Sequence, residues 1–125
     1  MDKLLKEMDF KFWANGESKI PAEKFLNLWK EGKAILVDVR DEKETSFISL
    51  DKFGINIPIH QLPDRLNELT EEKLLCLFCA GKLKAAMAYI YLRNKGISNV
   101  KILASTLEEL VSFIKPGKIK KMGLE

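Results

Sequence analysis

The sequence predicts an α/β domain with a mainly parallel central sheet flanked by helices. Three observations predict it. Two short apolar runs, Ala34–Val39 and Leu74–Cys79, have the pattern of strands buried on both faces. They alternate with segments of helical spacing, and the connections between them are short. A length of 125 residues with 46% hydrophobic content fits one domain whose core needs no disulfides.

Residues 1–18 read as an N-terminal extension, residues 19–117 as the domain and residues 118–125 as a basic C-terminal tail. In the extension Met8, Phe10 and Phe12 alternate, which admits one short strand before the Asn15-Gly16 turn. Pro21 opens a helix in which Phe25, Leu28 and Trp29 recur at helical spacing and which Gly32 stops. Ala34–Val39 is the first buried strand. A charged stretch, Arg40 to Glu44, then leads into a loop containing Gly54. Ile55–Ile59 reads as an edge strand or a strand end, because Pro58 has no N–H for a ladder. Gln61–Leu69 reads as a short amphipathic helix with Pro63 in its first turn. After the second buried strand, residues 84–95 form a helix that is apolar almost all round and ends at Gly96. Val100–Leu103 is a third strand, and Leu107–Ile114 a last helix before Pro116-Gly117.

The net charge of +3 says little about partners. Lys115, Lys118, Lys120 and Lys121 stand in a stretch without an acid, and the rest of the chain has a slight negative excess. The basic tail is expected to be solvated, and no nucleic-acid-binding face is expected. The longest apolar runs, Leu74–Ala80 and Ala85–Leu92, fall far short of the roughly 20 residues of a membrane span. The first ten residues, MDKLLKEMDF, have no apolar signal-peptide core. Two cysteines make no disulfide framework, so a cytoplasmic, thiol-reducing setting is expected. His60 is the only histidine and has no second ligand at a metal-binding spacing. Neither a metal nor a cofactor is expected.

Parallel sheets bind ligands beyond the carboxyl ends of their strands. Arg40 follows the first buried strand and Cys79 ends the second, so both are expected on one edge of the sheet. Cys79-Ala-Gly-Lys-Leu-Lys84 joins that strand to a helix N-terminus, where backbone N–H groups converge on an anion. Lys82 and Lys84 add two cations, and both effects favour thiolate over thiol. The same groups suit an anionic substrate. Cys76, inside the strand, is expected in the core. Cys76 and Cys79 have the spacing of a redox pair, but an offset of three puts their side chains on opposite faces of a strand. A disulfide there would require the strand to melt.

Asp38-Val39-Arg40 after an apolar strand, Gly54-Ile-Asn-Ile-Pro58, and Leu77-Phe78-Cys79 before a cationic loop and Ala85-Ala86-Met87 follow one another in order. With Asn99-Val-Lys-Ile-Leu103 after them, the series resembles a single-domain rhodanese, a thiosulfate sulfurtransferase-like protein. The resemblance covers about residues 19–117 and implies a three-layer α/β domain. It also implies a mechanism in which a loop cysteine takes a sulfane sulfur from a donor such as thiosulfate. The cysteine becomes a persulfide and passes the sulfur to cyanide or a thiol. On that resemblance Cys79 is the sulfur carrier, and the backbone of Ala80, Gly81, Lys82, Leu83 and Lys84 cradles the persulfide. Lys84 stands where many members have a substrate-orienting Arg, and it lacks the fork of a guanidinium. Asp38 and Arg40 match a supporting strand-end pair; a salt bridge from Arg40 to Glu42 or Glu44 is the plain alternative. The implied partners are a small anionic sulfur donor, a thiol or cyanide acceptor and a sulfur-acceptor protein. Monomer and homodimer both remain open.

The chain also departs from the pattern. A Gly usual three residues after the cysteine is replaced by Lys82, with the Gly at position 81. A left-handed backbone favours glycine, so Lys82 is expected to weaken the cradle. Ala85 replaces a frequent Ser or Thr, and Ser105-Thr106 replaces a common Gly-Gly. Phosphatases of related fold place an Arg six positions after the cysteine to grip phosphate; here that residue is Ala85, which disfavours phosphatase chemistry. The competing class is a rhodanese-like module that docks a protein and turns over nothing. The replaced glycines favour it, and the retained Cys79 favours sulfur transfer. Met87, Tyr89 and Tyr91 are expected in the core. Phe10, Phe12 and Trp13 are expected to cover the sheet edge or to form an oligomer contact.

Overall fold

The computed structural model describes residues 1–114. Five strands, β1 (Lys19–Pro21), β2 (Ala34–Asp38), β3 (Gly54–Asn56), β4 (Leu74–Phe78) and β5 (Val100–Ala104), form one sheet in the order β1-β5-β4-β2-β3. Every pairing is parallel, so the sheet expected to be mainly parallel is wholly so among the described residues. β4 and β2 lie inside the sheet. Leu36, Val37, Leu75, Cys76, Leu77 and Phe78 expose none of their surface, which is why both strands read as continuous apolar runs.

Six helices accompany the sheet: α1 (Asp2–Glu7), α2 (Phe10–Asn15), α3 (Ala22–Lys30), α4 (Glu42–Phe47), α5 (Leu83–Asn94) and α6 (Leu107–Ser112). On one face Phe25 and Leu26 of α3 and Leu110 of α6 pack with Leu36, Cys76, Phe78 and Leu103. On the other, Ala88, Tyr89 and Leu92 of α5 pack with Val37, Leu75, Leu77 and Cys79. The result is three layers. Along β4 the side chains alternate between the two cores, Leu75, Leu77 and Cys79 to one and Cys76 and Phe78 to the other. The opposite-face placement of the two cysteines is thereby observed.

Several elements differ from the sequence expectation. The extension holds two short helices where one strand was expected. Asp9 caps α2 by accepting the Phe12 N–H at 3.0 Å, and Gly16 closes it with φ 63°. Leu4 is buried, and Met8 and Phe12 pack against the α5 core. The charged stretch after Arg40 becomes α4, started by a capping box in which Asp41 and Glu44 bond each other's backbone N–H. Residues 61–69 are not one amphipathic helix. They form two tight 3-10 turns, Ile59–Asp64 and Leu66–Glu68, because Pro63 removes a donor and disfavours α geometry at the residue before it. α5 carries apolar residues on most of its surface but is not buried all round: Leu83 is 71% and Met87 57% exposed, so Met87 leaves the expected core, while Tyr89 is buried and Tyr91 half-buried.

Loop 48–53 contributes Leu50 and Phe53 to the core, the Phe53 ring meeting Trp29 edge-on at 4.9 Å. Glycine is required at the start of β3, since a Cβ on Gly54 would stand 1.9 Å from the Leu36 carbonyl oxygen. β3 is an edge strand that ends two residues before Pro58, as the proline required. Pro116-Gly117 and the basic tail lie outside the described residues.

Candidate active site

β2 and β4 are neighbours in register, Asp38 opposite Phe78, so Cys79 and the Asp38–Arg40 pair leave the sheet at the same edge. Cys79 is 3% exposed. Its Sγ accepts the backbone N–H of Ala85 at 3.2 Å, and the loop closes with the Ala86 N–H on the Lys82 carbonyl at 3.0 Å. Among the described residues no protein acceptor meets the N–H groups of residues 80–84. The sulfur therefore sits over the start of α5, where orphan amides and the positive end of the helix dipole favour negative charge.

Lys82 takes the left-handed conformation that the motif reserves for glycine, with φ 69° and ψ −18°, and no other non-glycine among the described residues has positive φ. The cost for a residue with a Cβ is roughly 1–2 kcal/mol. The side chain leaves the loop toward β5: Nζ donates to the Ser105 carbonyl and lies 5.3 Å from the centre of the Phe78 ring. Ser105 in turn donates its hydroxyl to Glu109 at 2.7 Å. Burial pushes the Lys82 ammonium below its ordinary pKa, while the charges of Cys79 and Glu109 oppose the shift.

Lys84 is drawn the other way. Its Nζ stands 3.1 Å from Glu44 Oε1 and 3.8 Å from Asp41 Oδ2 across the loop. The hydrogen bond to Glu44 holds its pKa above the usual lysine value. The two cations thus stand on opposite walls, and Lys84 is already paired with acid, which corrects the picture of an unopposed cationic loop. The sequence reading missed Asp41 and Glu109, and it named Glu44 and Ser105 without their lysine contacts. The Asp41-x-x-Glu44 spacing is a capping-box signal that could have placed that pair; nothing local signals the contacts of Ser105 and Glu109.

Arg40 and Asp38 are each 2% exposed. Arg40 Nε and Nη2 reach Asp38 Oδ1 at 2.9 Å and Oδ2 at 2.7 Å, and Nη2 also donates to the Ile48 carbonyl at 2.9 Å. The expected alternative, a salt bridge to Glu42 or Glu44, is replaced by this local pair, because two residues beyond Asp38 the guanidinium folds back into the strand end. Asn56 adds its side-chain N–H to the carbonyls of Asp38 at 2.8 Å and Arg40 at 3.0 Å. These residues fix the floor beside the cysteine loop.

Cys76 plays no part in the edge. It is fully buried on the opposite face, and desolvation pushes its thiol up to about 12. Both cysteines are free thiols. His60 is exposed, and no cluster of metal-ligating side chains occurs among the described residues. No described helix is long and apolar enough to cross a membrane.

No family model matches the chain. The fold has clear relatives: a rhodanese-like domain protein of Staphylococcus aureus superposes with a TM-score of 0.58 at 28% identity, covering 69% of this chain and 81% of that one. This is a rhodanese-like fold. The single-domain sulfurtransferase of Saccharomyces cerevisiae shares the rhodanese-like architecture with a TM-score of 0.63 at 24% identity, over 76% of this chain and 89% of that one. In sequence, the tRNA sulfurtransferase of Vibrio cholerae is 26% identical over 87 residues, 67% of this chain and 18% of that protein. The chain spans under a fifth of that curated relative.

Proposed function

We propose that the protein is a sulfurtransferase that carries a sulfane sulfur as a persulfide on Cys79. The observation that carries this reading is the Ala85 N–H donated to Cys79 Sγ at 3.2 Å, beside the free amides of residues 80–84. A donor such as thiosulfate yields its outer sulfur to the Cys79 thiolate: the new bond is S–S to Sγ, and sulfite leaves with the electron pair of the broken bond. The amides of Ala80, Gly81, Lys82, Leu83 and Lys84 hold the charge of the persulfide. Attack of cyanide or a thiol on the outer sulfur then returns the Cys79 thiolate. The names of the relatives support transfer of sulfur in general, and the free thiols suit a reducing, cytoplasmic setting. Asp38, Arg40 and Asn56 act as positioning residues for the strand ends.

A second reading, a protein-docking module without turnover, draws on two observations: Cys79 is nearly buried and Lys84 is engaged by Glu44 and Asp41. Thiocyanate production from thiosulfate and cyanide separates the two. Sulfur transfer predicts turnover that Cys79→Ser abolishes and Cys76→Ala keeps; no turnover supports the docking module, and turnover retained in Cys79→Ser overturns Cys79 as the sulfur carrier.

A further inference from the structure

Behind the cysteine loop, α5, β5, α2 and the residues that enter β1 line a cleft of about 240 Å³. Its walls are apolar. Trp13 of α2, Tyr89 of α5 and Ile102 of β5 surround it, and Ala86 and Ala104 are small enough to leave the space open. The Trp13 indole N–H is already satisfied by the Met8 carbonyl at 2.9 Å, so the ring presents an apolar face and no donor. Two lysines line the cleft, Lys19 at the start of β1 and Lys82 in the loop, and no carboxylate lines it among the described residues. Neither lysine forms an ion pair, in contrast to Lys84, but Lys82 gives its ammonium to the Ser105 carbonyl beside Phe78, so Lys19 is the cation left to the cleft among the described residues.

One end of this cleft is the cysteine loop itself. Lys82 belongs to both, and Ala86 follows directly on Ala85, whose amide meets Cys79 Sγ. Apolar walls with one free cation, Lys19, and no acid complement one kind of ligand, a flat apolar body that carries an anionic group. We propose that the cleft is the binding site for the sulfur acceptor, an aromatic thiol bearing a carboxylate. This rests on the sulfurtransferase reading. The acceptor lies with its ring against Trp13 and its carboxylate toward Lys19. Its thiolate attacks the outer sulfur of the Cys79 persulfide; the acceptor–sulfur bond forms, the Sγ–sulfur bond breaks, and its electron pair stays on Cys79 as thiolate. The product is the acceptor persulfide, and no oxidant or reductant enters.

The test separates binding from transfer. Trp29, the second tryptophan, packs in the opposite core against Phe53, so Trp13 alone reports on the cleft. In Cys79→Ser, which cannot carry sulfur, 4-mercaptophenylacetate is expected to change Trp13 fluorescence saturably, and Trp13→Phe to remove the signal. Lys19→Gln, at an exposed residue, should weaken binding about three-fold, the scale of a surface charge contact. Ala104→Phe, which fills the cleft from an exposed position, should cut the transfer rate to 4-mercaptophenylacetate at least ten-fold and leave transfer to cyanide unchanged. Absence of a saturable signal in Cys79→Ser, or equal loss for both acceptors in Ala104→Phe, overturns the cleft. If Ala104→Phe does not fold, the Lys19→Gln ratio decides alone. Saturable binding with no persulfide on the wild-type protein would overturn the sulfurtransferase reading and leave the cleft as a binding site.

Discussion

Cys76 and Cys79 are three residues apart and chemically distinct because β4 turns them to opposite cores. Desolvation lifts the Cys76 thiol from 9.0 to about 12. A folded pKa above the unfolded one means that the native state keeps a proton the unfolded chain releases between pH 9 and 12. The contribution of this thiol is therefore whole below pH 9 and lost as pH rises toward 12, with a slope of up to about 1.4 kcal/mol per pH unit. Urea titrations of wild type and Cys76→Ala should converge in stability across that window; parallel curves would contradict the assignment. Lys82 makes a second prediction. Lys82→Gly and Lys82→Val both remove the ammonium, but only Val keeps a Cβ, and a branched one, at φ 69°. The Val variant should be less stable than the Gly variant by about 1–2 kcal/mol in urea unfolding. Cys79 and the loop lysines were legible from sequence, because a strand end meeting a helix start is a local pattern. Which carbonyl or carboxylate each lysine would meet was not, since Ser105 follows β5 and Glu44 stands in the first turn of α4.

Elements were legible where one local force dominates. The apolar runs of β2 and β4 and the Pro58 edge signal translate directly into buried and edge strands. α4 went unread although its capping box is written in the sequence, because a single-turn amphipathic pattern is absent from Glu42–Phe47. Residues 59–68 keep an amphipathic spacing, yet Pro63 decides their geometry. Two predictions belong here. Arg40→Met leaves Asp38 buried without its partner and should cost about 3–5 kcal/mol, whereas Asp38→Asn combined with Arg40→Met should recover part of that loss. Equal unfolding midpoints for single and double variants would show that the pair is not coupled. Gly54→Ala drives a methyl into the Leu36 carbonyl and should destabilise the domain by about 1–3 kcal/mol or prevent β3 from pairing, read by hydrogen exchange at the Leu36 and Ile57 amides, which bond the Phe53 and Asp38 carbonyls.

At the scale of the molecule, the parallel sheet delivers two strand ends to one edge, a buried ion pair steadies one, and the other carries a thiol over the start of α5. Trp13 of α2 lines the cleft behind that thiol, a role the alternating Met8, Phe10 and Phe12 did not reveal because it depends on how α2 meets α5. Cys79 itself is 3% exposed. The most direct measurement is intact mass spectrometry after incubation with thiosulfate. The account predicts one added sulfur, located on Cys79 by peptide mapping, removed by cyanide and absent in Cys79→Ser. A protein that gains no sulfur, or a Cys79→Ser variant that still gains one, would contradict it.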